Sequence, residues 1–284
     1  MTQASASASV DHVSTLITLP DINWVWSDTA KGKWEALTDK YHPFYKYQQF
    51  YDRWRDRSSG SNFLDQFPYK LSLGVDENGA SLLRFGPDST SRNRILVTKA
   101  YDDMYHRLML LRRDDDGEAK GAVLTGQPGI GASLRSLPCA TTHQHISPGK
   151  TTFLKFMLVR LISARQVVLL CNSTAVHLFY RSQVYSRLMM VGCFEDLPQR
   201  KGAPYCPIWA LIDVDYQGHG PPISSSSNIW PIQSSSPNPI RWKHWKKQNG
   251  AAMLGLPLWK MEELMEGHVF GLFSLSTIDP GHAA

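Results

Sequence analysis

The chain has 284 residues, 42% of them hydrophobic, and a formal net charge of +5. That apolar content supports a globular protein of one large or two ordinary domains, and the positive charge, dispersed without a long Lys/Arg block, permits weak attraction to nucleic acid without demanding it. No run reaches the roughly 18 apolar residues of a membrane span, and the opening MTQASASASVDH lacks the basic and apolar regions of a signal peptide, so the expected location is intracellular (cytoplasm or nucleus), with no membrane partner.

Residues 1–20 are Ser/Ala/Thr-rich and expected to be disordered. An N-terminal α+β region is assigned to 21–92. Within it, Tyr47, Phe50, Tyr51 and Trp54 recur at helical spacing beside Lys46, Arg53, Arg55 and Arg57, which predicts an amphipathic helix. The stripe is expected to bury itself against its own domain; the alternative is a stacking platform for single-stranded nucleic acid. Alternation over 70–75, the turn residues Asn78-Gly79 and the return over 81–85 predict a hairpin. The polar stretch 86–92 reads as a linker, and a second domain is assigned to 93–284.

That domain opens with a helix over 97–113, carrying Tyr101, Met104, Tyr105, Leu108 and Leu111 on one face. Asp114-Asp115-Asp116-Gly117 reads as a solvated turn, and 121–125 as a strand. It leads into Gly126-Gln127-Pro128-Gly129-Ile130-Gly131, while Lys150-Thr151-Thr152-Phe153-Leu154 opens a helix that is apolar nearly all round. Joined, the two pieces read G-Q-P-G-I-G-K-T-T, which matches the phosphate-binding pattern G-x-x-x-x-G-K-S/T. Residues 132–149 separate them.

Further on, 167–170 reads as a buried parallel strand, and 175–179 with 183–185 as a hairpin. Ile208-Trp209-Ala210-Leu211-Ile212-Asp213 is an apolar strand ending in a carboxylate, suited to hold Mg2+ opposite the loop hydroxyl, with Asp215 beyond it. The strand 228–233 ends in Gln233 and Ser234, candidates to sense a terminal phosphate. Residues 240–248 and 258–265 are expected to be helical, the former with Arg241, Lys243, Lys246 and Lys247 on a solvated face or against nucleic acid. The four cysteines show no C-x-x-C spacing, so no structural metal site is expected.

Spacing is part of the chemistry of such a loop. Glycines let successive backbone N–H groups turn toward the phosphates, the helix N-terminus adds its dipole, Lys pairs with the β and γ phosphates and a hydroxyl meets Mg2+. Lys150, Thr151 and Thr152 supply the charge and the hydroxyls, and Gly149 still precedes the lysine. The local substitute Q-H-I-S-P-G-K-T is poor, because Gln is disfavoured at positive φ and Pro148 donates no N–H. Either the insertion loops out and the glycine piece folds near Lys150, or that piece is displaced; loop-closure entropy allows the first. A third reading lies in the gene. Codons for Gly131-Ala132-Ser133 and Ser147-Pro148-Gly149 are compatible with the ends of a short intron whose removal joins Gly131 to Lys150.

With the insertion set aside, residues 94–266 resemble the fungal multigene families of P-loop NTPases related to retrotransposon-hot-spot and Crinkler-type proteins. The residues that carry this are the helix 99–113, G-Q-P-G-I-G with K-T-T-F-L, I-W-A-L-I-D, the S-S-P-N-P of 235–239 and L-W-K-M-E-E-L at 258–264. The resemblance implies an α/β fold, a parallel sheet with flanking helices, of the AAA/STAND kind. It further implies ATP and Mg2+ as ligands, Gly126, Gly129, Gly131, Lys150 and Thr151 as the phosphate loop, and Asp213 as the Mg2+ carboxylate. The sequence departs from the pattern at the interrupted loop and in having no recognisable helical lid beyond Leu264. The expected activity is ATP hydrolysis when the loop is continuous. The alternative is a non-catalytic interaction or nucleic-acid-binding module.

Overall fold

The computed structural model describes residues 24–56, 67–77, 81–83, 93–113, 119–126, 149–189, 194–201, 207–213, 228–235, 238–243, 246–247, 250–257 and 263. In chain order the elements are β1 (Trp24–Val25), α1 (Asp28–Lys31), β2 (Glu35–Ala36), α2 (Tyr45–Arg55), β3 (Tyr69–Ser72), β4 (Arg94–Val97), α3 (Lys99–Arg113), β5 (Ala122–Thr125), α4 (Gly149–Ser163), β6 (Val168–Cys171), β7 (Ala175–Tyr180), β8 (Gln183–Leu188), β9 (Gln199–Arg200), β10 (Ile208–Asp213), β11 (Ile229–Ser234) and β12 (Ala252–Gly255). A 3-10 turn, Pro239–Arg241, stands where the helix over 240–248 was expected, its first N–H capped by Asn238. The second helix expected, 258–265, lies outside the described residues except for Glu263.

The fold is mixed α/β around an eight-stranded sheet of order β12-β5-β11-β10-β6-β7-β8-β2. The first five strands are parallel; β7, β8 and β2 add on antiparallel. The expected parallel sheet is therefore half of the answer. The correction comes from the connections. A parallel neighbour needs a crossover of a dozen or more residues, whereas β7 and β8 are separated only by Arg181 and Ser182. Arg181 takes φ 53, the left-handed conformation that tight hairpin turns use. Between β6 and β7, the Asn172 side chain accepts from the Thr174 and Ala175 N–H groups and fixes an equally short turn.

The strand over 69–72 also finds a different partner from the one expected. It pairs with β4 across the polar stretch read as a linker, and its continuation makes a single bridge, Val75 to Ser81. Ile95, Leu96 and Val97 are a continuous apolar run and are all buried, so pairing with them covers more apolar surface than a hairpin return would.

Helix α4 sits between the sheet and the helices α2 and α3, which is why its sequence is apolar nearly all round. Phe153, Leu154, Phe156, Met157, Leu158, Leu161 and Ile162 are all buried, and they join Trp209, Leu211, Trp230 and Ile232 of the sheet in one core. The aromatic stripe of α2 enters that core too: Tyr47, Phe50, Tyr51 and Trp54 are each at most 3% exposed. Rings so enclosed cannot stack on bases, so the packing alternative describes this helix. Among the described residues no helix is long and apolar enough to cross a membrane.

Candidate functional site

The parallel strands set the level of everything at their carboxyl ends. Asp213 stands beside Ser234, and Ser234 beside Leu124. Strand side chains alternate between faces, and Trp209, Leu211, Trp230, Ile232, Ala122 and Leu124 face α4 in the larger core. By that parity Asp213 and Ser234 point to the α4 side. Gln233 points to the other side, near the layer of Val123 and Met253. It is buried, and its Oε1 has no hydrogen-bond partner among the described residues.

The chain leaves β5 at Gly126 and returns at the α4 N-terminus. A Cβ built on Gly126 would lie 3.8 Å from Lys150 Cγ and 3.7 Å from Leu256 Cβ. The residues on either side of 127–148 are therefore neighbours in space, which is the looped-out geometry among those the sequence left open. The Tyr101 hydroxyl of α3 donates to the Gly149 carbonyl at 3.0 Å and holds the first turn of α4. From that turn the Thr151 hydroxyl donates to Asp213 Oδ1 at 3.1 Å.

Adjacent strands lie about 4.8 Å apart, so with β11 between them β5 and β10 are roughly 10 Å apart at this edge. Helix α4 spans the gap, lying across β11, β10 and β6. That placement brings a hydroxyl one residue after the loop lysine onto a carboxylate two strands away. Asp213 is half-buried as a residue, and burial of its carboxyl raises its pKa; hydrogen bonds from Ser234 and Thr151 and the charges of Lys155 and Lys150 pull it back. The site thus joins two ammonium groups and one carboxylate under the positive end of a helix, an excess of positive charge suited to a phosphate.

Of the residues singled out in the sequence, Gly126, Gly149, Lys150, Thr151, Asp213 and Ser234 come together here. Thr152 is buried in α4. Gly129, Gly131 and Asp215 lie outside the described residues. Two residues were missed. Lys155 is the charged member of the buried set in α4, 3% exposed, and its signal was a four-residue spacing from Thr151, one helical turn. Tyr101 was read as core, and nothing in its spacing announced the hydroxyl contact.

Among the described residues no group of three or more His, Cys, Asp or Glu could hold a metal ion. Mg2+ does not ask for such a cage: it is commonly held by one or two carboxylates together with ligand phosphates. The buried Asp213 carboxylate and the Thr151 hydroxyl fit that partial shell. Comparison of the chain with protein-family models, with curated proteins and with solved structures finds no match.

Proposed function

We propose that this chain is a P-loop NTPase domain of the AAA/STAND kind that binds ATP with Mg2+ at the carboxyl edge of its parallel strands. The observation that carries the reading is the Thr151 to Asp213 hydrogen bond at 3.1 Å, which joins the first turn of α4 to the end of β10. In this reading Lys150 neutralises charge on the β and γ phosphates, and the N–H groups of the first turn of α4 receive phosphate oxygens. Thr151 and Asp213 hold Mg2+, which when bound draws off negative charge from the phosphate oxygens and orients them. Ser234 steadies the Asp213 carboxylate from the neighbouring strand. Tyr101 and Leu256 fix the helix start and the exit from β5. Gly129 and Gly131 complete the cradle and Asp215 orients water; these remain assignments from the motif.

The second reading is a nucleotide-binding module without turnover, and the interruption at 132–149 favours it for the uncut chain. ATP binding and phosphate release are measured on the full chain and on a form lacking 132–149. Tighter binding with turnover in the shortened form supports an NTPase whose cradle is spread open. Binding without turnover in both forms selects the module, and no binding in either, with Lys150→Ala indistinguishable from the parent, removes the reading. Sequencing cDNA across Gly131 and Lys150 decides the intron reading, which fails if every transcript carries the long form.

A further inference from the structure

Lys155 has no role in the loop pattern, yet it is the one charged residue of the buried set on α4 and is 3% exposed. A buried ammonium is tolerated when an anion or hydrogen bonds meet it. Lys155 lies one turn beyond Thr151, about 6 Å along the helix axis. Long helical side chains lean toward the N-terminus and cover the preceding turn, so its ammonium is carried back to the level of Thr151 and the carboxylate that Thr151 contacts. The field at Asp213 agrees: of the two lysines acting on this carboxylate, Lys155 acts more strongly than Lys150.

We propose that Lys155 is a built-in counter-cation of Asp213, occupying electrostatically the place of a divalent metal, so that the site holds a nucleotide polyphosphate without obligatory Mg2+. This rests on the nucleotide reading above. Its physical basis is the repulsion that a metal ordinarily relieves: an ionised carboxylate and a phosphate at one edge oppose each other until a cation stands between them. With Lys155 beneath Asp213 that repulsion is already offset. Lys150 and the helix N-terminus can then bind phosphate alone, and Mg2+ must compete with an ammonium for its carboxylate.

The test compares the full chain with Lys155→Gln, Lys155→Met and Lys155→Arg. ATP binding is measured calorimetrically in Mg2+ and in EDTA, and Mg2+ is titrated by thermal shift into the ligand-free proteins. The parent and K155R are expected to lose little affinity on chelation. K155Q and K155M lose on the order of tenfold or more, the size of one charge-assisted contact. Without nucleotide, Mg2+ is expected to stabilise K155Q and K155M but not the parent, and adding Asp213→Asn abolishes that gain. Equal sensitivity to chelation in parent and K155Q overturns the proposal, as does an equal thermal response to Mg2+. If no form binds ATP, the nucleotide reading falls while the Mg2+ titration still decides the pairing of Lys155 with Asp213. If K155Q and K155M do not fold, Asp213→Asn added to K155Q restores folding on this account, and no restoration overturns it.

Discussion

The two halves of the sheet each bury an ionisable group, and they treat it in opposite ways. In the antiparallel half, His177 on β7 is fully buried against the Tyr47 ring at 4.1 Å and the Phe44 ring at 5.0 Å. Burial lowers its pKa to about 3, with smaller contributions from Lys46 and His42, and it packs as a neutral ring beside Asn172. In the parallel half, burial presses equally on Asp213, but two hydroxyls and two lysines converge to keep its charge. Burial alone describes packing. Burial opposed by converging donors describes a place prepared for a charged ligand.

The largest expected effect breaks what the two halves share. Phe153, fully buried in α4 and edge-on to Tyr101, should cost about 3–5 kcal/mol of stability when replaced by Ala; chemical denaturation measures it, and a loss below about 1 kcal/mol contradicts the packing described.

Next comes the acid response of the antiparallel half. With its folded pKa at about 3 against 6.5 unfolded, His177 leaves the native state at full strength above pH 6.5. Stability then falls with pH through that window, by up to about 1.4 kcal/mol per pH unit. His177→Phe keeps an aromatic ring and should flatten the acid limb of the Tm profile between these values; an unchanged slope places the acid response elsewhere.

Asp213 predicts the opposite sign. Its folded pKa is raised, so its contribution to stability is full at low pH and is lost as pH climbs through the raised value. Asp213→Asn, which never ionises, should therefore gain on the parent toward neutral pH, with the gap closing on acidification. A variant that is less stable at neutral pH contradicts that sign. The smallest effect is Tyr101→Phe, which removes the bond to the Gly149 carbonyl and should cost about 1 kcal/mol; a larger drop in ATP affinity than in stability would sharpen its role as a positioning residue.

The parallel half was the legible one. Asp213 could be read because an apolar strand ends in a carboxylate, and Lys150-Thr151 because helix and hydroxyl follow the lysine directly. The neighbourhood of Gly126 and Lys150 was left open in the sequence, since chain closure over 132–149 is nearly neutral in entropy. The antiparallel strands were half legible: the β7–β8 hairpin showed in its alternation, but its attachment to β6 depends on the short turn that Asn172 organises. The partner of β3 was hidden because strand pairing is decided by buried apolar area across the sheet. Lys155 was hidden for a related reason: a charged residue in an apolar helix has no local signature that tells which carboxylate it faces.

The central claim is that the edge joining Lys150, Thr151 and Asp213 is a nucleotide phosphate site. It is tested most directly by calorimetric titration of ATP into the full chain and into Lys150→Ala. The account predicts a loss of affinity on the order of 100-fold, the size of a charge-assisted phosphate contact, with little change in Tm. Equal binding by the two proteins would contradict it.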